Sequence, residues 1–482
     1  MNKSVVAAQY AVRGPLVQRS VKFNQQIQDA KNKGIDAGLP FDEVINCNIG
    51  NPQQLKQAPV NYVRDVISLV VNPTLMERAS GVFAPDVVER AKAYLNAQKG
   101  GAISAGAYTD SHGLLAVRKE VSKFLEERDG FAGDVNDIVL TNGASDGVKL
   151  CMSSIFRPKS EGFNDGLLTP IPQYPLYSAL CSLLDAELVP YYLNEAEGWT
   201  CSKAKLSEAM KKASGVETRA LVVINPGNPT GQVMGREDMQ EIISFCVDHN
   251  IVLMADEVYQ ENIYTADKEF LSFRRVAHEM GVLKGDMEGL QLISFHSISK
   301  GYTAECGLRG GYCEVIGLDP EVKKEIYKLA SISLCSNVVG QIAMGIMVQP
   351  PKEGEASHKT FMAEKQAILD SLQRRSKRCY DTLNELENVE CAPMEGALYA
   401  FPTIKMPKKA MEAAAAKDMA ADAMYCGELL DATGIVIVPG TGFHQEPGTF
   451  HFRTTILPPE ETMDKFFALL KEFHADFLKR YA

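Results

Sequence analysis

The sequence has neither paired cysteines nor long apolar runs, and each absence removes a class of protein. Its eleven cysteines are scattered without a C-x-x-C pair, and its eight histidines lack the spacing of metal ligands. This argues against a disulfide framework and against a zinc site. No apolar stretch approaches the roughly 20 residues that a transmembrane helix needs. We therefore expect free thiols in a reducing compartment, no metal and no membrane insertion.

An excess of basic residues is also missing. The 482 residues include 61 acidic and 50 basic side chains, with a formal net charge of -11. A nucleic acid, which a basic surface attracts, is therefore not an expected partner. The N-terminus has basic residues but no secretory apolar segment, and the C-terminus is not a peroxisomal signal. We predict a cytoplasmic protein, with a mitochondrial location as the alternative.

Through the middle of the chain, strand-like apolar runs alternate with helical patterns of about ten to fifteen residues. The clearest runs lie at 137–141, 166–169, 187–192, 220–224, 251–255 and 290–295. This alternation predicts an α/β fold with a largely parallel sheet covered by helices. Ligands of such sheets bind at the carboxyl ends of the strands.

After residue 348 the pattern changes to a proline-bearing connector, one long helix over 361–386 and several short strands. The Ala/Lys/Met-rich residues 408–424 predict one further helix. We predict an N-terminal arm with part of a small domain over residues 1–72. A large ligand-binding domain over 73–348 and a small C-terminal α+β domain over 349–482 complete the division.

One strand end predicts a phosphate site. Residues 142–147 (NGASDG) follow a strand and open an apolar helix, where free N–H groups and the helix dipole favour an anion. The spacing is neither that of a Walker loop nor that of a dinucleotide fingerprint. A simple helix cap by Asn142 or Ser145 is the alternative interpretation.

Three other segments carry reactive or polar groups. Ser297, Ser299 and Lys300 follow a buried strand, with Arg309 nine residues further on. Asp256 ends a second apolar run, and residues 225–231 (NPGNPTG) follow a third. Taken singly, these are equally a surface lysine, a solvated strand end and a turn. Together they supply the amine, the phosphate site and the buried acid that pyridoxal phosphate needs.

The joint set of motifs resembles the fold-type I pyridoxal-phosphate-dependent aminotransferases of class I/II. Residues 10–15 (YAVRGP), 297–307 and 451–458 (HFRTTILP) are more closely similar to the alanine aminotransferase group. The resemblance implies an α/β fold: a large domain with a mostly parallel seven-stranded sheet, plus a smaller α+β domain. It also implies a homodimer that transfers an amino group reversibly between L-alanine and 2-oxoglutarate.

The resemblance assigns roles to individual residues. Lys300 would bind the cofactor aldehyde and move the substrate proton, and Asp256 would pair with the pyridine nitrogen. Arg453 would hold the substrate α-carboxylate. The other residues it places around the cofactor and substrate are Tyr259 and Asn228 at the ring oxygen, Ala144, Ser145, Ser297, Ser299 and Arg309 at the phosphate, Tyr108 at the phosphate across the dimer interface, Tyr174 on the ring, and Gly50 and Asn228 beside the substrate.

Other activities of the same fold remain open at this point. A glutamate:glyoxylate aminotransferase or a lyase of the aminocyclopropane-carboxylate synthase type is the nearest alternative. A ligand-sensing transcription regulator would need a basic DNA-binding domain, for which the sequence has no segment. Arg13 is a candidate for holding the longer acid substrate, with a surface arginine as the competing interpretation.

Overall fold

The segments with reactive and polar groups lie at the ends of strands. The computed structural model describes residues 1–8, 14–98, 100–284 and 288–482. Arg13 therefore lies outside the described residues. The strands, numbered along the described chain, are β1 Ile45–Asn46, β2 Ile138–Thr141, β3 Asp165–Ile171, β4 Glu187–Tyr192, β5 Glu217–Ile224, β6 Val252–Asp256, β7 Leu292–Ser297, β8 Gly311–Ile316, β9 Val389–Glu390, β10 Tyr399–Ala400, β11 Thr403–Ile404, β12 Ile435–Val436, β13 Val438–Pro439 and β14 Phe452–Thr455.

Seven of these strands form one sheet in the order β2-β8-β7-β6-β5-β3-β4. The pairs from β7 through β6, β5 and β3 to β4 are parallel, for example Ala220 opposite Val252 and Leu253 opposite Leu292. β8 runs antiparallel to both of its neighbours. The predicted α/β fold with a mostly parallel seven-stranded sheet is confirmed.

Helices connect and cover the strands. In the described chain they are α1 Lys3–Ala7, α2 Pro15–Lys33, α3 Asn61–Val71, α4 Leu75–Arg78, α5 Pro85–Ala97, α6 Leu115–Asp129, α7 Ala144–Ile155, α8 Leu176–Leu184, α9 Lys203–Lys212, α10 Arg236–His249, α11 Phe273–Glu279, α12 Pro320–Ile332, α13 Val338–Val348, α14 His358–Asn384, α15 Lys408–Ala415, α16 Ala421–Thr433 and α17 Glu460–Arg480. Proline in the first turn of α2, α5 and α12 loses no helical hydrogen bond there. No described helix is long and apolar enough to cross a membrane.

Each face of the large sheet buries its own set of side chains, because successive residues of a strand point to opposite faces. Leu221 and Val223 of β5 pack with α9, α10 and α11. Ala220 and Val222 pack on the other face with α7, α8 and α12. Both faces being covered explains why these strands read as continuous apolar runs.

The short strands form a second, smaller α+β unit, which we call the small-sheet unit (β1, β9–β14 and α15–α17). β13, β14 and β10 make an antiparallel sheet, and β1 pairs in parallel with β12, with Ile45 opposite Ile435. Its core is continuous through α16 and α17. In contrast, α3 packs against α5 and α13 beside the large sheet. The division of the chain at residues 72 and 348 stays a prediction.

The single helix predicted over residues 408–424 is wrong. α15 ends at Ala415 and α16 begins at Ala421. Between them Asp418 has φ 53°, in the left-handed region. The Ala414 carbonyl accepts hydrogen bonds from the N–H groups of Lys417 and Met419. This turn redirects the chain, so α16 packs into the core of the small-sheet unit.

Candidate active site

A cavity of about 540 Å³ opens where the carboxyl ends of the large sheet meet the small-sheet unit. Residues from both units line it, as expected for ligands of an open α/β sheet. The lining residues used below are Gly50, Ala144, Ser145, Tyr174, Asn228, Asp256, Tyr259, Ser297, Ser299, Lys300, Cys306, Arg309, Tyr399 and Arg453.

Lys300 stands three residues beyond the end of β7. Its Nζ donates a 2.8 Å hydrogen bond to the Gly50 carbonyl. A Cβ at position 50 would lie 2.1 Å from the Tyr399 Oη and 3.0 Å from the Lys300 Nζ. Position 50 therefore requires glycine, because the Cβ of any larger residue would clash with the Tyr399 hydroxyl beside the amine.

The start of α7 forms an anion-binding corner. Gly143, with φ 81°, precedes the helix, and in the described structure no side chain caps its first turn. Asn142 instead donates to Asp146, so the helix-cap interpretation fails. Arg309 closes the corner with Nη2, which donates to the Asn142 carbonyl at 2.9 Å and to Ser145 Oγ at 3.4 Å. Free N–H groups beside a guanidinium favour a phosphate.

Asp256 lines the cavity, and its two carboxylate oxygens have different surroundings. Oδ2 accepts a 2.8 Å hydrogen bond from the Tyr177 hydroxyl, whereas Oδ1 is buried and has no hydrogen-bond partner among the described residues. Burial raises the pKa of Asp256 to about 6, opposed by Tyr177, the Val258 N–H and Lys300. A protonated ring nitrogen at Oδ1 would satisfy this acceptor and favour the carboxylate.

Two tyrosines stand beside the amine. The Tyr259 hydroxyl donates to the Tyr399 hydroxyl at 3.4 Å. Burial raises the pKa of Tyr259. Burial also acts to raise the pKa of Tyr399, but the charges of Lys300 and Arg453 and the hydrogen bond from Tyr259 outweigh it and lower that pKa.

Arg453 is a buried cation with no carboxylate partner among the described residues. Its side chain is 1% exposed. Nη1 donates to Asn228 Oδ1 at 3.1 Å, Nη2 donates to the Asn48 carbonyl, and Nε has no described hydrogen-bond partner. The Tyr399 ring lies 4.2 Å from Cζ. A buried charge is costly unless an anion pairs with it, so this geometry calls for an anionic ligand.

Among the described residues, the structure brings together every predicted site residue except Tyr108. Tyr108 is 77% exposed and does not line the cavity of this chain. Sequence reasoning missed Tyr399, Tyr177 and Cys306. Cys306 Sγ lies 3.0 Å from the Ser299 carbonyl. Tyr399 lies in β10, one of the short strands predicted after residue 348, so a polar ring in a buried strand was the available signal.

The profile of the family "Aminotransferase class I and II" matches residues 64–470. The chain belongs to the aminotransferase class I and II family. A relative named "Probable alanine aminotransferase, mitochondrial" from Dictyostelium discoideum is 47% identical over 484 residues, covering 99% of this chain and 89% of the relative.

Two further similarities are to proteins whose names include aminotransferase. "Glutamate--glyoxylate aminotransferase 2" of Arabidopsis thaliana is 45% identical and covers 100% of this chain and 96% of its own length. A solved aminotransferase from Escherichia coli has a TM-score of 0.75 at 24% identity, covering 99% of this chain and 98% of its own. That structural likeness supports the fold.

Membership of the aminotransferase family implies pyridoxal phosphate as the cofactor. The described residues fit this group. The uncapped start of α7 with Arg309 suits the phosphate, and Asp256 Oδ1, unpartnered among the described residues, suits the ring nitrogen. Lys300 offers an amine in the same cavity. The cavity therefore has the donor and acceptor set that the cofactor requires.

Proposed function

We propose that the protein transfers an amino group reversibly between L-alanine and 2-oxoglutarate, giving pyruvate and L-glutamate. The Dictyostelium relative and three other relatives at 46% identity bear the name alanine aminotransferase. The observation that carries the proposal is Arg453, a buried guanidinium whose described partners are an amide oxygen and a carbonyl. Every substrate of this reaction brings the α-carboxylate that such an arginine binds in a bidentate manner.

We assign each lining residue a task in the reaction. Arg453 binds the α-carboxylate, with the Gly50 backbone and Asn228 beside it. Lys300 takes the proton from the substrate α-carbon and would deliver it to the aldehyde carbon of the cofactor, which keeps the substrate's nitrogen. When bound, pyridoxal phosphate supplies the aldehyde and the electron-accepting ring. The two half-reactions alternate, so that one amino acid leaves as an oxo acid before the second oxo acid binds.

The remaining lining residues hold the cofactor in this proposal. Asp256 keeps the ring nitrogen protonated through Oδ1, and Tyr259 with Asn228 binds the ring oxygen. Tyr174 stacks on the ring. The phosphate site consists of the first N–H groups of α7, starting with that of Ala144. The side chains of Ser145, Ser297, Ser299 and Arg309 complete it.

The proposed active unit is a homodimer in the cytoplasm. The exposed Tyr108 would then reach the phosphate site of the partner subunit. In a single chain it does not line the cavity. A mitochondrial location is the alternative, because two relatives of Arabidopsis thaliana and one of Dictyostelium carry that word in their names. Sedimentation and cell fractionation test these two points.

Glutamate:glyoxylate transamination is the second candidate, because relatives with that name are 44–45% identical to this chain. Arg453 serves the α-carboxylates of both substrate sets equally. The two candidates differ in the oxo acid that the pocket binds as amino-group acceptor, which is 2-oxoglutarate in the first and glyoxylate in the second.

The test is a comparison of initial rates with purified holoenzyme. L-alanine, L-glutamate and L-aspartate serve as donors, and 2-oxoglutarate, pyruvate and glyoxylate as acceptors. We expect the highest kcat/KM for alanine with 2-oxoglutarate. A faster glutamate–glyoxylate reaction would replace the proposal with the second candidate, and no turnover of any pair would overturn both.

A further inference from the structure

A histidine next to β14 joins the small-sheet unit to the edge of the large sheet. His451 is 2% exposed, and its Nε2 lies 3.2 Å from both carboxylate oxygens of Glu195. Glu195 occupies the turn that follows β4. The Thr403 hydroxyl donates to the same carboxylate. None of these three side chains lines the cavity.

The hydrogen bonds around the imidazole define its protonation. Gln445 Oε1 accepts from the His451 backbone N–H at 3.0 Å, and Gln445 Nε2 donates to Asp422 Oδ2 at 2.9 Å. The atom facing Nδ1 at 2.8 Å is therefore an oxygen, and Nδ1 must carry a proton. Nε2 faces a carboxylate and also needs a proton. Both ring nitrogens therefore face oxygen acceptors, an arrangement that the imidazolium form satisfies.

Glu195 carries the matching negative charge. Burial acts to raise the pKa of its carboxyl, but the hydrogen bonds from His451 and Thr403 and the charge of His451 outweigh burial and lower that pKa. The ring of Phe401 stacks on the imidazole at 4.6 Å and 5°. The contact is thus an ion pair held in a fixed orientation, with one partner fully buried.

His451 immediately precedes β14, and Arg453 is the second residue of that strand. Side chains two residues apart share one face of a strand, so His451 and Arg453 both face the large sheet. Phe452 points the opposite way and stacks with Tyr425 in the small-sheet core. Arg453 reaches Asn228 at 3.1 Å. One face of the strand is therefore attached to the large-sheet side at two points.

We propose that the His451–Glu195 ion pair positions Arg453, by fixing how closely β14 approaches the large sheet. Both are positioning residues that act through the arginine and do not touch substrate. The inference rests on the proposed role of Arg453 as the α-carboxylate site. Loss of the pair should weaken only those ligands that present a carboxylate to Arg453.

Two oxyamines separate this effect from a general loss of structure. Aminooxyacetate and methoxyamine carry the same nucleophile, and only the first has a carboxylate. Their rates of reaction with the bound cofactor are followed by the loss of its visible absorbance. In wild-type holoenzyme we expect a strong preference for aminooxyacetate. Glu195→Ala should reduce that preference about tenfold, as a small misplacement of a binding group does, with the methoxyamine rate unchanged.

Matched variants sharpen the test. Glu197→Ala, on the exposed side of the same turn, should keep the wild-type preference. Glu195→Gln removes only the charge, and His451→Asn keeps a donor toward Gln445 without reaching Glu195. Both should show part of the loss, and they carry the test if Glu195→Ala does not fold. In an Arg453→Met background, Glu195→Ala should add nothing.

The outcomes distinguish two failures. A wild-type holoenzyme without preference for aminooxyacetate would overturn the role of Arg453, and the inference with it. A wild-type preference that persists in Glu195→Ala, or a parallel fall of both rates, would overturn the positioning role alone. An additional loss in the Arg453→Met background would also contradict it.

Discussion

Two arginines of this chain are equally buried, and their surroundings are opposite. The side chains of Arg274 and Arg453 are both 1% exposed. Arg274 pairs with Asp129 at 3.2 Å and with Glu314 at 2.9 Å, and donates to the Phe131 carbonyl. Arg453 has an amide oxygen and a carbonyl as its described partners, and its Nε is unpartnered. The first site is complete, whereas the second requires an anion.

The complete site extends into a buried charge cluster of Arg128, Asp129, Glu257, Arg274 and Glu314. Arg128 donates to Asp129, and the Phe273 N–H donates to Glu257. Burial raises the pKa of Glu257 to about 8, opposed by the charge of Arg128, and that of Glu314 to about 7, opposed by the charges of Arg274 and Arg128. With Glu257 protonated, Arg128 and Arg274 face the carboxyl groups of Asp129 and Glu314, so the buried ions there have partners and serve the fold. A buried charged group that lacks part of its hydrogen-bond or ionic partners therefore indicates function better than burial alone does.

The largest effect is expected from replacing Lys300, the amine of the active-site cavity. Lys300→Ala should bind pyridoxal phosphate and lose transamination by about 10⁴-fold or more, because proton transfer at the α-carbon loses its base. Steady-state rates and bound cofactor measure the two effects. Turnover near the wild-type rate would remove Lys300 from this role.

Replacing Arg453 by methionine tests whether this arginine serves binding and not stability. Arg453→Met should lower kcat/KM for alanine about 10³-fold, corresponding to about 4 kcal/mol of lost carboxylate binding. Its thermal stability should be unchanged or raised, because an unpaired buried charge disappears. Kinetics and a thermal melt on the same preparation give both values. A melting temperature that falls sharply would place Arg453 among structural residues.

Arg274→Met should show the reverse pattern. It leaves Glu314 without its cation and Asp129 with Arg128 alone, which should destabilise the protein by about 3–5 kcal/mol. The folded fraction should keep nearly wild-type KM values, since Arg274 does not line the cavity. Urea unfolding provides the free energy of unfolding. Unchanged stability with a raised KM would contradict the distinction between the two arginines.

The smallest expected effect concerns pH. Between its ordinary pKa of 4.5 and the folded value of about 8, Glu257 holds a proton in the native state that the unfolded chain releases. Its contribution to stability therefore falls as pH rises through this window. Glu257→Gln should flatten the decline of the melting temperature between pH 5 and pH 8. An unchanged slope would show that Glu257 is ionised in the fold.

Much of this account was predictable from the sequence, because strand ends and motifs are local. Ser297, Lys300 and Asp256 follow apolar runs that are buried on both faces, and parallel strands bring such ends to one edge. The start of α7 was recognisable as a strand-to-helix turn. These features depend on spacing within about ten residues.

Other features depend on contacts between distant segments. The Tyr177 hydroxyl reaches Asp256 across 79 residues, and Arg453 reaches the Asn48 carbonyl across 405 residues. The ion pair of His451 with Glu195 spans 256 residues. No periodicity records such pairings. The break between α15 and α16 was likewise hidden, because Asp418 adopts a left-handed conformation without a glycine to signal it.

The absorption spectrum of the purified protein tests the central claim most directly. The claim is that Lys300, Asp256 and Arg453 together hold pyridoxal phosphate and an α-amino acid. We predict a yellow protein whose visible band is bleached by L-alanine and restored by 2-oxoglutarate. A protein that stays colourless with added pyridoxal phosphate, or a band that L-alanine leaves unchanged, would contradict the account.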